Sequence, residues 1–74
     1  MSRYTWGDTV RVKVGASPEM RPGHLAAVCG IRDLENPDQA KQFSRPIGTT
    51  LYLVEFGDGS SIEIPEDSVE RTAE

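Results

Sequence analysis

The feature that most constrains the fold is the segment Thr49-Thr50-Leu51-Tyr52-Leu53-Val54-Glu55-Phe56, followed at once by Gly57-Asp58-Gly59-Ser60. The first part is rich in β-branched and aromatic residues, the types that fit a pleated, half-buried surface. The second is a hairpin turn, and Ser61-Ile62-Glu63-Ile64 is the returning strand, stopped by Pro65. Two registers compete. A two-residue Asp58-Gly59 turn sets Phe56 against Ser61 and Val54 against Glu63, so core and solvent positions share a face. A three-residue Gly57-Asp58-Gly59 loop sets Val54 against Ile62 and Tyr52 against Ile64. It also gives Gly59 the left-handed position that such loops require. Only the second register keeps one apolar face, and a slip by one residue would destroy it. The three-residue loop is therefore expected.

That register has a cost on the other face. With Tyr52, Val54 and Phe56 turned inward, Leu51, Leu53 and Glu55 turn outward. Two outward leucines on a central strand need cover, from a partner or from the chain itself. Cover by the chain is favoured, with Phe43 or Ile47 as its source. Glu55 and Glu63 are expected to face each other on the same outer surface, exposed, with Lys13 or Arg11 easing the repulsion.

The rest of the chain reads as a frame around this hairpin. Residues 9–14 alternate, placing Val10, Val12 and Val14 on one face and Arg11 and Lys13 on the other, the mark of a half-buried strand. Gly15, Pro18, Pro22 and Gly23 make the next stretch a loop. His24 to Ile31 form a second strand of small residues, where Gly30 permits a bend. Residues 32–48 are the least regular part and long for a connection. Within them Asn36-Pro37 looks like an N-cap with proline at the first helical position, so Asp38 to Phe43 should make one or two helical turns. Glu66-Asp67-Ser68 reads as a single 3₁₀ turn and Val69 to Thr72 as a final short strand. No second domain or repeat is evident, so residues 1–74 are read as a single domain.

The order strand, loop, small-residue strand, long excursion, hairpin, 3₁₀ turn and short strand is that of an all-β, five-stranded SH3-like barrel. The likeness is carried by Trp6-Gly7-Asp8-Thr9-Val10-Arg11-Val12-Lys13, by Arg21-Pro22-Gly23-His24 leading to Val28-Cys29-Gly30-Ile31, and by Leu51-Tyr52-Leu53-Val54-Glu55-Phe56. This layout resembles the barrel domain of the nitrile hydratase β subunit, small photosynthetic electron-transport accessory subunits and small immunity proteins that neutralise bacterial toxins. In the first of these the metal-binding cysteine cluster belongs to the other subunit, and none is present here; the chain departs from that family in placing Gly57-Asp58-Gly59 where it continues with aromatic positions. What these families share is a barrel that docks onto another protein. The resemblance thus implies a non-catalytic, protein-binding accessory role.

Charge narrows the partner. The net charge is −4, but residues 1–54 carry seven basic against five acidic side chains, and residues 55–74 carry seven acidic against Arg71 alone. An acidic end suits a basic protein partner and opposes general nucleic-acid binding, which draws on a basic patch. An immunity protein facing a basic toxin is the sharper form of the first reading. A nucleic-acid barrel of the KOW or Tudor kind, built on Arg11, Lys13, Arg21 and Arg32, is the competing one, and no surface aromatics interleave with those cations as stacking platforms require.

Nothing assembles into a catalytic constellation, so the chain is expected not to be an enzyme and to need no cofactor. One cysteine and one histidine build neither a disulfide nor a metal site. Cys29 is expected in the core, since free cysteine is among the most buried types, and His24 at a surface strand start. Trp6 suits either a binding hot spot or a lid over an open end of the core, with the lid favoured. The candidate partner-binding residues are Leu51, Leu53, Glu55, Glu63, Trp6 and Phe43. With no bilayer-length apolar run and no leader pattern, the chain is expected to be cytoplasmic, a monomer or weak homodimer without membrane contact.

Overall fold

The computed structural model describes residues 3–72. It contains a single five-stranded antiparallel sheet: β1 (Thr9–Val12), β2 (Leu25–Asp33), β3 (Thr50–Phe56), β4 (Ser61–Pro65) and β5 (Val69–Arg71), with one helix, α1 (Pro37–Phe43), between β2 and β3. Short 3₁₀ turns occupy Pro18–Met20 and Glu66–Ser68. The strand order is β4-β3-β2-β1-β5. The two strands nearest in sequence, β4 and β5, thus stand at opposite edges. A flat sheet would separate those edges by roughly 19 Å, whereas the link from Pro65 to Val69 reaches at most about 14 Å. The sheet is therefore curled, and no ladder joins β4 to β5 among the described residues, so the barrel expected from the sequence is not closed.

The hairpin register follows the expectation. Val54 lies opposite Ile62 and Tyr52 opposite Ile64. The Phe56 N–H donates to the Ser60 carbonyl (2.8 Å), the Gly59 N–H donates to the Phe56 carbonyl (3.0 Å), and Gly59 has φ +89°. Asp58 pins the turn by accepting from the Ser60 N–H and hydroxyl. The inner face of the sheet packs Val10, Val12, Ala26, Val28, Tyr52, Val54, Phe56, Ile64 and Val69 into one cluster closed by Tyr4.

Tyr4, and not Trp6, is the lid. Its ring stands edge-on to Tyr52 at 5.5 Å, while Trp6 is 71% exposed. The reason is the turn at 5–8. Thr5 N–H donates to the Asp8 carboxylate and Asp8 N–H to the Thr5 carbonyl, a turn that has Trp6 at its exposed tip. The Tyr52 hydroxyl receives the Arg3 and Tyr4 N–H groups and donates to Glu66, so the chain start is fastened over the core.

Two further expectations fail for backbone reasons. Val14 does not share the inner face with Val10 and Val12 but is 84% exposed, because β1 ends at Val12 and the chain turns away after Lys13. Cys29 is exposed, not in the core. The β2–β3 pairing shifts between Val28 and Gly30, leaving Cys29 as the extra residue of a β-bulge. Gly30 then lies over Leu53, where an added Cβ would meet the Leu53 Cβ at 3.1 Å.

The outward leucines receive their cover from the chain. Leu51 is fully buried together with Leu34 and with its cross-strand neighbour Pro65, outside the main cluster. Leu34 N–H donates to the Thr49 carbonyl and Gly48 N–H to the Leu34 carbonyl, which extends the β2–β3 pairing and keeps Leu34 on the face of Leu51. The expected sources were Phe43 and Ile47. Phe43 is only half-buried and Ile47 is 54% exposed, whereas Leu34, on the same face as Leu51, is fully buried. The excursion carries the expected helix. Asn36 caps α1 by accepting from the Asp38 and Gln39 N–H groups, Pro37 occupies its first turn, and Ser44 ends it in the left-handed conformation.

Candidate functional site

Two segments that leave the sheet define a groove. The first is the loop after β1. Lys13 N–H donates to the Ser68 carbonyl, Ala16 N–H turns back to the Lys13 carbonyl, and the 3₁₀ turn carries Met20 against the core. The second is the C-terminal end of α1. Arg45, just past the helix, forks onto Asp67 with two contacts of 2.8 Å and also donates to the Phe43 and Ser44 carbonyls. This fork ties the excursion to the 3₁₀ turn before β5. Planar two-point pairing of guanidinium with carboxylate fixes geometry as well as charge.

Between these segments, along β4, lies a groove of about 890 Å³. Ala16, Met20, Phe43 and Ile62 supply apolar surface, and Lys13, Glu19, Glu63, Asp67 and Glu70 supply charge. With Arg45 included, four acidic side chains stand against two basic ones. Hydrogen bonding to Arg45 holds the Asp67 carboxyl below its usual range, against the opposing effect of partial burial. Arg32 does the same for Glu63, through a two-point contact in which Nη2 reaches Oε1 at 2.8 Å. Both carboxylates therefore stay ionised, and both guanidinium groups are held more firmly protonated. Arg32 also donates to Gln39 of α1 at 3.0 Å, so one side chain links helix, β2 and β4.

The six candidate residues separate in space. Glu63 and Phe43 line the groove. Leu51 is fully buried and is withdrawn as a contact residue. Leu53, directly opposite Glu63, is half-covered, and Glu55 is exposed on the outer sheet face opposite Ser61. Glu55 and Glu63 therefore do not sit directly across from each other, and it is Arg32, not Lys13 or Arg11, that pairs with Glu63. Trp6 is exposed but does not line the groove. Met20, Ile62 and Glu19 join the site although sequence reasoning passed over them, and Asp67 and Glu70 join it from the acidic 55–74 segment, where they were not singled out. Met20 carried a signal, as a large apolar residue in a loop otherwise built of Gly, Pro and polar types.

His24 is exposed and stands edge-on to Phe56 at 6.2 Å, as expected of a strand-start residue. Among the described residues no cluster of three or more His, Cys, Asp or Glu side chains is placed to hold a metal ion, and no helix is long and apolar enough to cross a membrane. Compared with known proteins, no family model, no curated protein and no solved structure matches the chain.

Proposed function

We propose that this chain is a non-catalytic protein-binding module of SH3-like architecture, and that its partner docks in the groove between the 13–20 loop, the end of α1 and β4. The strand order, the bulge that bends β2 and the 3₁₀ turn before β5 support the architectural part. The observation that carries the functional part is the groove itself. It combines apolar surface with a few placed charged groups, the make-up of sites that bind by shape and orient by polarity. Its walls are anchored by Arg45–Asp67 and Arg32–Glu63, so little ordering is left for the binding step.

The nucleic-acid reading loses two of its four cations to partners within the chain. Arg21 pairs with Asp58 at 3.0 Å and lies over Phe56, and Arg32 pairs with Glu63. The immunity-protein form keeps its acidic face, but Glu66 accepts from the Arg3 N–H and the Tyr52 hydroxyl. Glu66→Lys would disturb the fold and Glu63→Lys would break the Arg32 anchor, so the exposed Glu19 and Glu70 are the better positions for charge reversal.

The test is affinity capture with the full chain, repeated with Phe43→Ala and Glu19→Lys. The expected result is a protein partner that both variants lose while their circular dichroism stays unchanged. Capture that returns no protein partner, or a partner held equally by both variants, overturns the reading.

A further inference from the structure

The groove runs beside an unpaired sheet edge. In an antiparallel ladder, successive residues direct their backbone groups alternately to one neighbour and the other. The Phe56–Ser60 bond sets the phase, so Ile62 and Ile64 turn their N–H and C=O groups toward β3. Ser61 and Glu63 turn theirs the other way, off the free side of β4. None of these four groups has a hydrogen-bond partner among the described residues. A row of unmet donors and acceptors is a template for a further strand. Pro65, which has no N–H to offer, limits that template to its first half.

We infer that the groove takes its partner by strand addition: an extended segment of another protein, alternating apolar and basic side chains, pairs with Ser61 and Glu63 along β4. This rests on the docking reading above and specifies its chemistry. Main-chain bonds to an edge strand supply affinity, and the alternation of side chains supplies specificity. One face of the added strand continues the inner face of the sheet, beside Ile62, with Met20 and Phe43 also bordering the space, and calls for apolar residues. Its other face continues the outer surface beside Glu63, and Glu19, Asp67 and Glu70 border the same groove. With Asp67 paired to Arg45 and Glu63 to Arg32, Glu19 and Glu70 stand against Lys13 alone, and this excess of negative charge favours a cationic segment there.

The test selects a random heptapeptide library on the full chain and then follows the tightest synthetic peptide by amide hydrogen exchange. Enriched sequences should alternate apolar and basic positions. Saturation should slow exchange of the Ser61 and Glu63 amides at least about tenfold, the equivalent of one hydrogen bond. N-methylation of one alternate set of peptide residues should weaken binding by a similar factor of about ten, while methylating the other set leaves it unchanged. If a peptide shifts the Met20 and Phe43 resonances while Ser61 and Glu63 exchange as before, or both methylated sets bind alike, strand addition is overturned and groove docking stands. If no selected peptide perturbs any groove residue, both fall.

Discussion

The two faces of β3 are sealed in different ways, and the groove lies where the outer seal is made by the excursion rather than by the sheet. Its inner face is closed by the sheet itself, with Tyr52, Val54 and Phe56 held against residues from the other four strands. Its outer face is closed only at one end. There Leu51 is fully buried, on the same face as buried Leu34 and opposite Pro65, where the excursion that carries α1 leaves β2. Toward the hairpin the cover thins, through half-covered Leu53 to exposed Glu55. The excursion thus does two jobs. It completes a small second core, and its far end walls the groove.

Truncation of either core breaks or sharpens this contrast most strongly. Val54→Ala and Leu51→Ala should each lower unfolding stability by about 2–4 kcal/mol, read from urea midpoints. That is a large share of the roughly 4–11 kcal/mol a chain of this length commands. A loss under about 1 kcal/mol for Leu51→Ala would mean that the outer layer is no core. Next comes Tyr52→Phe, which leaves the Tyr4 N–H buried without an acceptor and should cost about 1–3 kcal/mol. The same variant should speed exchange of the Arg3 and Tyr4 amides. Gly59→Ala places a side chain at φ +89° and should cost about 1–2 kcal/mol, with the β3–β4 ladder intact by nuclear magnetic resonance.

Acid should act more gently. Asp58 is held at about 2, chiefly by the Ser60 hydroxyl and N–H and then by Arg21, and Glu63 and Asp67 are also lowered. A carboxyl whose folded pKa lies below its unfolded value stabilises the fold above the unfolded pKa, near about 4, and loses that contribution as pH falls through the folded one. Urea midpoints should therefore decline from about pH 4 downward. In Asp58→Asn the decline should be shallower. The smallest effect is expected at Trp6→Ala, within about 0.5 kcal/mol, because Trp6 covers nothing in the core. A larger loss would restore it as a lid.

The inner face of β3 was legible because every feature that sets it lies within sixteen residues of sequence. Alternation chose the face, and Gly57-Asp58-Gly59 chose the register. The site was less legible. Glu63 and Phe43 were named, but the groove exists because Arg45 reaches Asp67 across 22 positions and Arg32 reaches Glu63 across 31. No local pattern marks such pairs. Leu34 was missed because it sits between the end of β2 and the start of α1, with Asp33 and Glu35 on either side and no period to place it.

By itself, then, the sequence determined what is local in this protein: the hairpin and its loop length, the capped start of α1 at Asn36-Pro37, and the 3₁₀ turn before β5. Each follows from backbone preferences and side-chain periods acting over a few residues. The tertiary structure alone decided the rest. It ejected Cys29 into a bulge, ended β1 before Val14, chose Tyr4 over Trp6 as lid, buried Leu34 beside Leu51 and left the edge of β4 open. Those outcomes depend on which distant surfaces meet when the sheet curls, and only the assembled chain fixes that.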